Sequence, residues 1–368
     1  MSGEEIDATS VVIGGVEIGP GERRTIELPA GRLPTGAELT MPVHVVRGRK
    51  AGPSLFVSAA IHGDEINGVE VVSRLLRMRQ IDRLRGTLIA VPVVNVYGFM
   101  SYSRYLPDRR DLNRSFPGSE RGSLAARMAH LFMNEVVANA THGIDLHTGA
   151  QHRTNLPHVR VTSHDDAAFE MARSFGAPVV IKSEVRDGSL RQAAAERGVP
   201  LVVFEGGEAL RFDEWAIRAG LRGVLATMHH LDMLPTRRKE KRKLASPVIA
   251  TSTRWVRAAA GGVLRARVAI GERVAAGSLI GEIGEPYGRE PLQVRAPSDA
   301  VVLAHTQLPV VNEGDALFHL LALDEPSIEL LEPLEAFQSE IARIAFDPEE
   351  RAWSPPDGET LPPPKPEE

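Results

Sequence analysis

The sequence predicts an α/β protein with a mainly parallel sheet, followed by a smaller all-β domain. From Gly52 to about Leu234, short apolar segments alternate with segments whose apolar residues have helical spacing. Beyond Trp255 the pattern changes to short strands separated by glycine-containing turns. Strands that alternate with helices form layered sheets, and binding sites gather at the carboxyl ends of their strands. Functional residues are therefore expected where the predicted strands end.

Composition excludes several classes of protein. The chain has 368 residues, which is enough for two domains, and a net charge of −5, whereas a basic domain is typical of nucleic-acid-binding proteins. It contains no cysteine, so any metal has to be bound by His, Asp or Glu. The first residues lack the features of a signal peptide, and no apolar run approaches the roughly 20 residues that span a bilayer. We expect a cytoplasmic protein that binds neither nucleic acid nor membranes.

The predicted elements begin with a β segment at residues 1–50, which we expect to pack on the core with strands in "RRTIELPAG" and "ELTMPVHVVRG". The α/β domain should span residues 51–235. Its predicted strands are Leu55–Ile61, Thr87–Val94, Gly143–His147, Val159–Thr162, Val179–Lys182 and Pro200–Phe204. Its predicted helices are Ile66–Met78, Leu124–Ala140, Asp165–Phe175, Leu190–Arg197 and Asp213–Leu231.

The rest of the chain divides into three parts. Residues 236–252 include the charged stretch "TRRKEKRK", which we interpret as a linker rather than a nucleic-acid patch because the whole chain is acidic. Residues 253–345 should form the β domain. Residues 346–368 are acidic and rich in proline, a composition typical of disordered tails.

Polar residues follow three of the predicted strands. His62 and Glu65 stand in "AAIHGDEINGVEVV", just after the first core strand, and His147 ends the strand in "GIDLHTG". Two histidines and one glutamate match the open three-ligand zinc site used for hydrolysis, which leaves a position for a water molecule of lowered pKa. Glu205, in "FEGGE" at the end of another strand, is then the natural general base.

Each of these residues also has a structural interpretation. The spacing of His62 and Glu65 occurs by chance, and His147 alone could be a hydrogen-bonded histidine at a strand end. Asp64 could be the N-cap of the following helix, and Glu205 could bind nearby backbone amides. The arginine-dense stretch "RYLPDRRDLNRSFPG" is either a solvated surface loop or a site for anionic groups of a substrate.

Taken together, the motifs resemble a known family. "HGDE", "DLNRSFPG", "IDLHTG" and "FEGGE" occur in this order between residues 59 and 207, as in the succinylglutamate desuccinylase/aspartoacylase family of the zinc carboxypeptidase superfamily. The resemblance implies a carboxypeptidase-like α/β/α core with a mixed, mostly parallel sheet. It implies one Zn²⁺ per subunit, with His62, Glu65 and His147 as its ligands, and Glu205 as the acid that activates water.

The same resemblance implies roles for the arginine-dense stretch. Asn113 and Arg114 match the pair that binds the carboxylate of the substrate. An arginine upstream of "DLNR" polarises the scissile carbonyl in the family. Arg104 matches it by its "RY" context, although it lies further from Asn113 than in short family members, and Arg109 and Arg110 are closer. We rank Arg104 first and Arg110 second.

The C-terminal part resembles the lipoyl/biotinyl-type sandwich through "RAPSDAVV" and "VNEGDALFHL". A cofactor carrier of that type needs a lysine at its hairpin tip, and residues 244–364 contain none. We therefore expect this domain to be a lid or an assembly surface, in a protein that forms homo-oligomers.

The family resemblance implies a zinc-dependent amidohydrolase that removes the acyl group of an N-acyl amino acid or a related small acyl amide. The alternative is a zinc carboxypeptidase acting on short peptides, because a C-terminal carboxylate would fit the same arginine. A non-catalytic metal-binding protein is disfavoured, since all four key positions are intact.

Overall fold

The computed structural model describes residues 11–235, 247–288 and 290–322. Four predicted parts lie wholly or partly outside the described residues: 1–10 of the N-terminal β segment, 236–246 of the linker, 323–345 of the β domain and the whole tail at 346–368. The boundaries of the domains therefore remain predictions.

The bounds of the elements follow the chain order. The strands are β1 (Val11–Ile13), β2 (Val16–Ile18), β3 (Arg23–Arg32), β4 (Glu38–Arg47), β5 (Lys50–Ala59), β6 (Arg85–Val91), β7 (His142–Gly149), β8 (Arg153–Thr162), β9 (Val179–Ser183), β10 (Leu201–Glu208), β11 (Val248–Ala250), β12 (Thr253–Arg257), β13 (Gly262–Ala266), β14 (Arg273–Val274), β15 (Leu279–Gly284), β16 (Leu292–Arg295), β17 (Ala300–Thr306), β18 (Val310–Val311) and β19 (Ala316–Ala322). The helices are α1 (Asn67–Arg77), α2 (Val96–Met100), α3 (Leu124–Glu135), α4 (Asp166–Phe175), α5 (Leu190–Glu196) and α6 (Glu214–His230), with short 3-10 helices at Arg79–Arg83, Leu112–Arg114 and Val137–Asn139.

A mixed sheet forms the centre of the molecule. Its four middle strands, in the order β10-β7-β5-β6, are parallel. Antiparallel strands flank them, β8 beside β10 and the β4–β3 pair beside β6. The predicted α/β alternation is confirmed. The helix predicted over Leu124–Ala140 is shorter, because α3 ends at Glu135 and a 3-10 turn follows.

Helices cover both faces of this sheet. Leu55, Val57 and Ala59 of β5 share one buried cluster with apolar residues of α1, α4 and α6. Phe56, between them in sequence, lies in the opposite cluster with residues of α3 and α5. Side chains of a strand alternate between its faces, so this division follows from the unbroken apolar run of a strand buried on both sides. The α/β/α core that we predicted is confirmed.

The C-terminal part is an all-β sandwich, as predicted. One of its sheets has the strand order β16-β15-β13-β18, and the other contains β12, β19, β17 and β14. Strand β17 also pairs with β8, with Ala304 opposite Asn155 and Thr306 opposite Arg153, so that the main sheet continues into the sandwich. Strand β11, inside the expected linker, pairs with β9. The sequence did not predict this continuity.

The carboxyl ends of β5, β7 and β10 lie side by side. Ala59 of β5 is in register with Leu146 of β7, and Glu205 of β10 is in register with His147. The motifs that follow these strands are therefore brought to one edge of the sheet. In the described part of the chain, every helix is too short or too polar to cross a lipid bilayer.

Candidate active site

The turn after β5 carries His62 and Glu65. Ala60 adopts a left-handed conformation (φ 49°), and the chain turns there towards α1. A side chain at Gly63 would collide with the backbone of Gly98 in α2, so the glycine of "HGDE" permits close packing. Asp64 is not the N-cap that we considered: α1 starts after Ile66, which has no side-chain capping bond.

Three buried side chains meet beyond these strands. His62 Nδ1 lies 2.7 Å from Glu65 Oε1, and His147 Nδ1 lies 2.7 Å from Glu65 Oε2. No more than 5% of any of these three side chains is exposed. Within the described residues, they are the group whose ligand atoms all lie within 4.8 Å of one another. The structure thus brings the three predicted ligands together.

The second ring nitrogen of each histidine, Nε2, contacts another carboxylate. His62 Nε2 is 3.2 Å from Asp111 Oδ1, and His147 Nε2 is 2.7 Å from Asp145 Oδ2. Ser58 Oγ in turn donates to Asp145 Oδ1 at 2.8 Å. Histidines that bind metals usually donate their other ring N–H to such a partner, which fixes the tautomer and leaves the ligand nitrogen free.

Three carboxylates, Glu65, Asp111 and Asp145, surround the two imidazoles and concentrate negative charge there. Burial works against the charged imidazoles, but Glu65 together with Asp111 or Asp145 outweighs it and raises the pKa of both His62 and His147. The two imidazoles lower the pKa of Glu65 despite its burial. A carboxylate between two oriented imidazoles is a donor set that suits Zn²⁺, so the residues present fit a metal.

Glu205 lies on β10 beside this group. Its Oε2 accepts a hydrogen bond of 3.0 Å from Asn155 Nδ2, and its Oε1 is 3.8 Å from Arg160 Nε. Burial raises the pKa of Glu205, while the charges of Arg160 and His147 oppose that rise. The side chain keeps 20% of its surface exposed and lines the cavity described below.

The structure separates the two arginines that we ranked. Arg104 Nη1 is 3.3 Å from Glu65 Oε1 and 3.2 Å from His62 Nδ1, and its Nη2 donates to Asp111 Oδ2 at 2.9 Å. Arg110, the second choice, keeps 63% of its side chain exposed and is not part of the cavity wall. Asp111 joins Arg104 to His62, a role that the sequence analysis missed although the residue lies in "DLNR".

Asn113 and Arg114 lie on a 3-10 turn and both line the cavity. Asn113 Oδ1 accepts a hydrogen bond of 2.9 Å from the backbone N–H of Leu190, which fixes the turn to α5. Arg114 is exposed towards the cavity and donates to the carbonyl oxygen of its neighbour Asn113.

The cavity that joins these residues has a volume of about 580 Å³ and a cationic wall. Six arginines and three glutamates line it: Arg104, Arg114, Arg153, Arg160, Arg186, Arg191, Glu65, Glu184 and Glu205. Burial and the charges of Arg160 and Arg186 lower the pKa of Arg191 to about 10. This concentration of positive charge favours an anionic ligand. Four of these arginines lie in stretches that the sequence analysis did not single out.

The C-terminal sandwich supplies another part of the wall, through Thr253, Trp255 and His319. The rings of Trp255 and His319 stack with centroids 4.5 Å apart, and the guanidinium of Arg153 lies 5.1 Å from the centre of the Trp255 ring. Burial and three nearby arginines lower the pKa of His319 to about 3, so its ring is neutral. No local motif marks these residues, because only the packing of the two parts brings them to the site.

The mixed sheet with helices on both faces, together with the buried His-Glu-His group at the carboxyl ends of its parallel strands, defines an α/β protein with a candidate metal site. Residues 51–231 match the family model of the Succinylglutamate desuccinylase/Aspartoacylase catalytic domain. This α/β part of the chain, which carries the four motifs and the His-Glu-His group, belongs to the succinylglutamate desuccinylase/aspartoacylase family.

One named relative supports this assignment, and two solved structures share the fold. N-alpha-acetyl-L-2,4-diaminobutyric acid deacetylase of Halomonas elongata is 29% identical over 291 residues, which are 75% of this chain and 84% of that protein. Among solved structures, the product-bound ectoine utilization protein EutE (DoeB) from Ruegeria pomeroyi has a TM-score of 0.73 and 24% identity, covering 82% of this chain and 95% of its own. A succinylglutamate desuccinylase/aspartoacylase from Rhodobacter sphaeroides, with 24% identity and the same coverage of both chains, has a TM-score of 0.72. The structural likenesses support the fold.

Proposed function

We propose that the protein is a zinc-dependent deacylase that hydrolyses the amide bond of an N-acyl amino acid or a related small acyl amide. The observation that carries the proposal is the buried His62–Glu65–His147 group beside Glu205, at the base of a cavity with a cationic wall. His62, Glu65 and His147 would hold the metal. A Zn²⁺ bound there supplies Lewis-acid polarisation of the carbonyl and a water molecule of lowered pKa.

The chain's own residues move the protons. Glu205 takes a proton from the attacking water as the new C–O bond forms at the carbonyl carbon. It then delivers this proton to the amide nitrogen as the C–N bond breaks, which releases a carboxylic acid and an amine. Its burial next to a cation-binding group, with a raised pKa, suits a carboxylate that has to accept and return a proton.

Two arginines have different tasks in this proposal. Arg104, close to His62 and Glu65, would donate to the carbonyl oxygen as that atom gains negative charge. Arg114, exposed on the cavity wall, would bind a carboxylate of the substrate, with Asn113 holding the turn in place. The other arginines of the wall strengthen the attraction for an anion.

The relative from Halomonas elongata is named for removing an acetyl group from an N-acetylated amino acid, which supports a deacylase. A carboxypeptidase acting on short peptides is the alternative, since the same arginine would bind a terminal carboxylate. Trp255 and His319 lie in the wall of the cavity, where their rings would limit the length of a bound peptide, and this favours the deacylase.

A panel of substrates tests the proposal. Acetyl, succinyl and longer acyl derivatives of acidic, basic and neutral amino acids would be incubated with the protein beside matched dipeptides, and the products identified by mass spectrometry. We expect release of a free amino acid from at least one N-acyl amino acid at a higher rate than from any dipeptide. Faster cleavage of the dipeptides would overturn the deacylase in favour of the carboxypeptidase.

Kinetics should separate the arginines. Arg114 faces a carboxylate that is charged in both ground and transition states, so Arg114→Ala should raise KM roughly 10- to 100-fold with little change in kcat. Arg114→Lys should be impaired too, because it loses the two parallel bonds. Arg104→Ala should instead lower kcat about 100-fold, since its contact strengthens as the oxyanion forms.

Arg110→Ala is the matched control and should behave like the wild type, because Arg110 is mostly exposed and does not line the cavity. A fall in kcat with unchanged KM in Arg114→Ala would mean that the two roles are reversed.

Trp255 offers a test of the wall. Trp255→Ala should enlarge the cavity and shift selectivity towards longer acyl groups and dipeptides, by roughly 10-fold in the ratio of kcat/KM values. The measurement is the substrate panel repeated with the variant. Tyr287→Ala, which changes an aromatic residue of the same sandwich that is 90% exposed and away from the cavity, serves as the control. Unchanged selectivity in Trp255→Ala would show that Trp255 does not limit the length of the substrate.

A further inference from the structure

The carboxylate of Glu205 is held from the neighbouring strand. Asn155 Nδ2 donates to its Oε2 at 3.0 Å, whereas Arg160 Nε, 3.8 Å from Oε1, is beyond hydrogen-bonding distance. Within the described part of the chain, no other donor forms a hydrogen bond to this carboxylate. A general base has to hold its oxygen close to one orientation, so a single fixed donor has a large influence on it.

The backbone that carries Asn155 is itself fixed on both sides. Asn155 lies opposite Gly207 of β10 and opposite Ala304 of β17. The β8–β10 pairing is irregular between Glu205 and Gly207, where Gly207 has a φ of +73°. The Asn155 side chain thus supports Glu205 at the point where the ladder of its own strand is interrupted, and the sandwich strand β17 supports Asn155 from the other edge.

The residue before Asn155 on β8 also bonds a glutamate, but outside the cavity. Thr154 Oγ1 donates to Glu208 Oε2 at 2.8 Å and accepts from Gln307 Nε2 at 3.1 Å. Thr154 therefore also bonds a glutamate of β10 and contacts the sandwich, but neither Thr154 nor Glu208 lines the cavity. Two adjacent residues of β8 thus each donate a hydrogen bond to a glutamate of β10. Thr154 bonds Glu208 outside the cavity, and Asn155 bonds Glu205 in the cavity wall.

We propose that Asn155 is a positioning residue for Glu205: its amide engages Oε2 and leaves Oε1 as the oxygen that exchanges a proton with water and the leaving amine. An amide is suited to this task because it donates without titrating, so it cannot compete for the proton. The inference rests on the proposed function only in giving Glu205 the role of general base. It also gives the C-terminal sandwich a part in the site beyond forming a wall, since β17 holds the segment of β8 that carries Asn155.

Three variants of Asn155 test the proposal. Asn155→Leu removes the donor at nearly constant size and should lower kcat about 10- to 100-fold, with KM within about twofold of the wild type and full metal content. Asn155→Asp should lower kcat further, because it places a second carboxylate beside Glu205. Asn155→Ser, which keeps a shorter donor, should recover part of the loss. Thr154→Val, the matched control, should leave kcat within about twofold of the wild type.

Crystal structures of the wild type and Asn155→Leu give a readout that does not depend on activity. We expect the Glu205 carboxylate to leave its wild-type rotamer in the variant. An unchanged rotamer, an unchanged kcat, or a raised KM at constant kcat would each overturn the positioning role. If Asn155→Leu does not fold, Asn155→Asp and Asn155→Ser decide by the same criteria. If the wild type cleaves none of the substrates, the proposed function fails while the rotamer still tests the contact.

Discussion

Replacing Glu205 by glutamine should abolish most of the turnover and leave the fold and the metal in place. Glutamine has nearly the same size and can still pack beside Asn155, but it cannot take a proton from water at neutral pH. Loss of a general base typically lowers the rate on the order of 100- to 10,000-fold. The measurement is kcat on the best substrate of the panel, together with metal content and thermal unfolding.

Glu208→Gln is the matched control for this variant. Glu208 lies three residues further along β10, is buried, and accepts a hydrogen bond from Thr154, but it does not line the cavity. Its replacement should leave kcat almost unchanged. A Glu205→Gln protein within about threefold of wild-type kcat would show that another group takes the proton. Asp145, which contacts His147, is the acid to examine next.

The elements of the fold that were predicted correctly, and the positions of the candidate ligands at strand ends, are those with local signals. The apolar run of β5, the turn that follows it and the helical spacing of α1 are adjacent in sequence, so the position of His62 and Glu65 at a strand end could be inferred. The same holds for His147 at the end of β7. The meeting of the three residues then follows from the rule that parallel strands carry their sites at one edge.

What the sequence did not reveal depends on contacts between distant segments. Asn155 and Trp255 reach the site because β8 pairs with β17 and because the sandwich packs against the core. Pairings over such distances have no periodic signature in either strand. The choice between Arg104 and Arg110 was open for a related reason, because both lie in a loop without periodicity. The Arg104 side chain contacts the distant Glu65, whereas the mostly exposed Arg110 lies near Asp108 in the same loop.

Asp64 shows how a local rule can fail. An aspartate just before a helix is a frequent N-cap, yet α1 starts after Ile66 and Asp64 is buried with its Oδ1 unpaired among the described residues. The turn after β5 brings His62 and Glu65 into contact, and α1 begins only after Ile66, so Asp64 lies too early in the chain to cap it. The departure from the local rule therefore lies at the site itself, where such departures are expected.

The second large effect is expected from removing one of the proposed metal ligands. His147→Ala should lose the bound metal and with it the hydrolytic activity, because the remaining His62 and Glu65 supply too few ligands for a stable Zn²⁺ site. Elemental analysis of dialysed protein should find one zinc per wild-type chain and almost none in the variant. A chelator should lower the melting temperature of the wild type but not that of His147→Ala, since an ion that binds only the folded state stabilises it.

Two further variants make this test specific. His142→Ala removes a partly exposed histidine at the start of the same strand, outside the cavity, and should keep its metal. Asp145→Asn retains all three ligands but weakens the partner that orients His147, so it should lower metal affinity only about 10- to 100-fold. If His147 Nδ1 binds the metal, metal loss should increase from His142→Ala through Asp145→Asn to His147→Ala. Full zinc occupancy in His147→Ala would refute the ligand assignment, and a stoichiometric metal other than zinc in the wild type would refute the choice of ion.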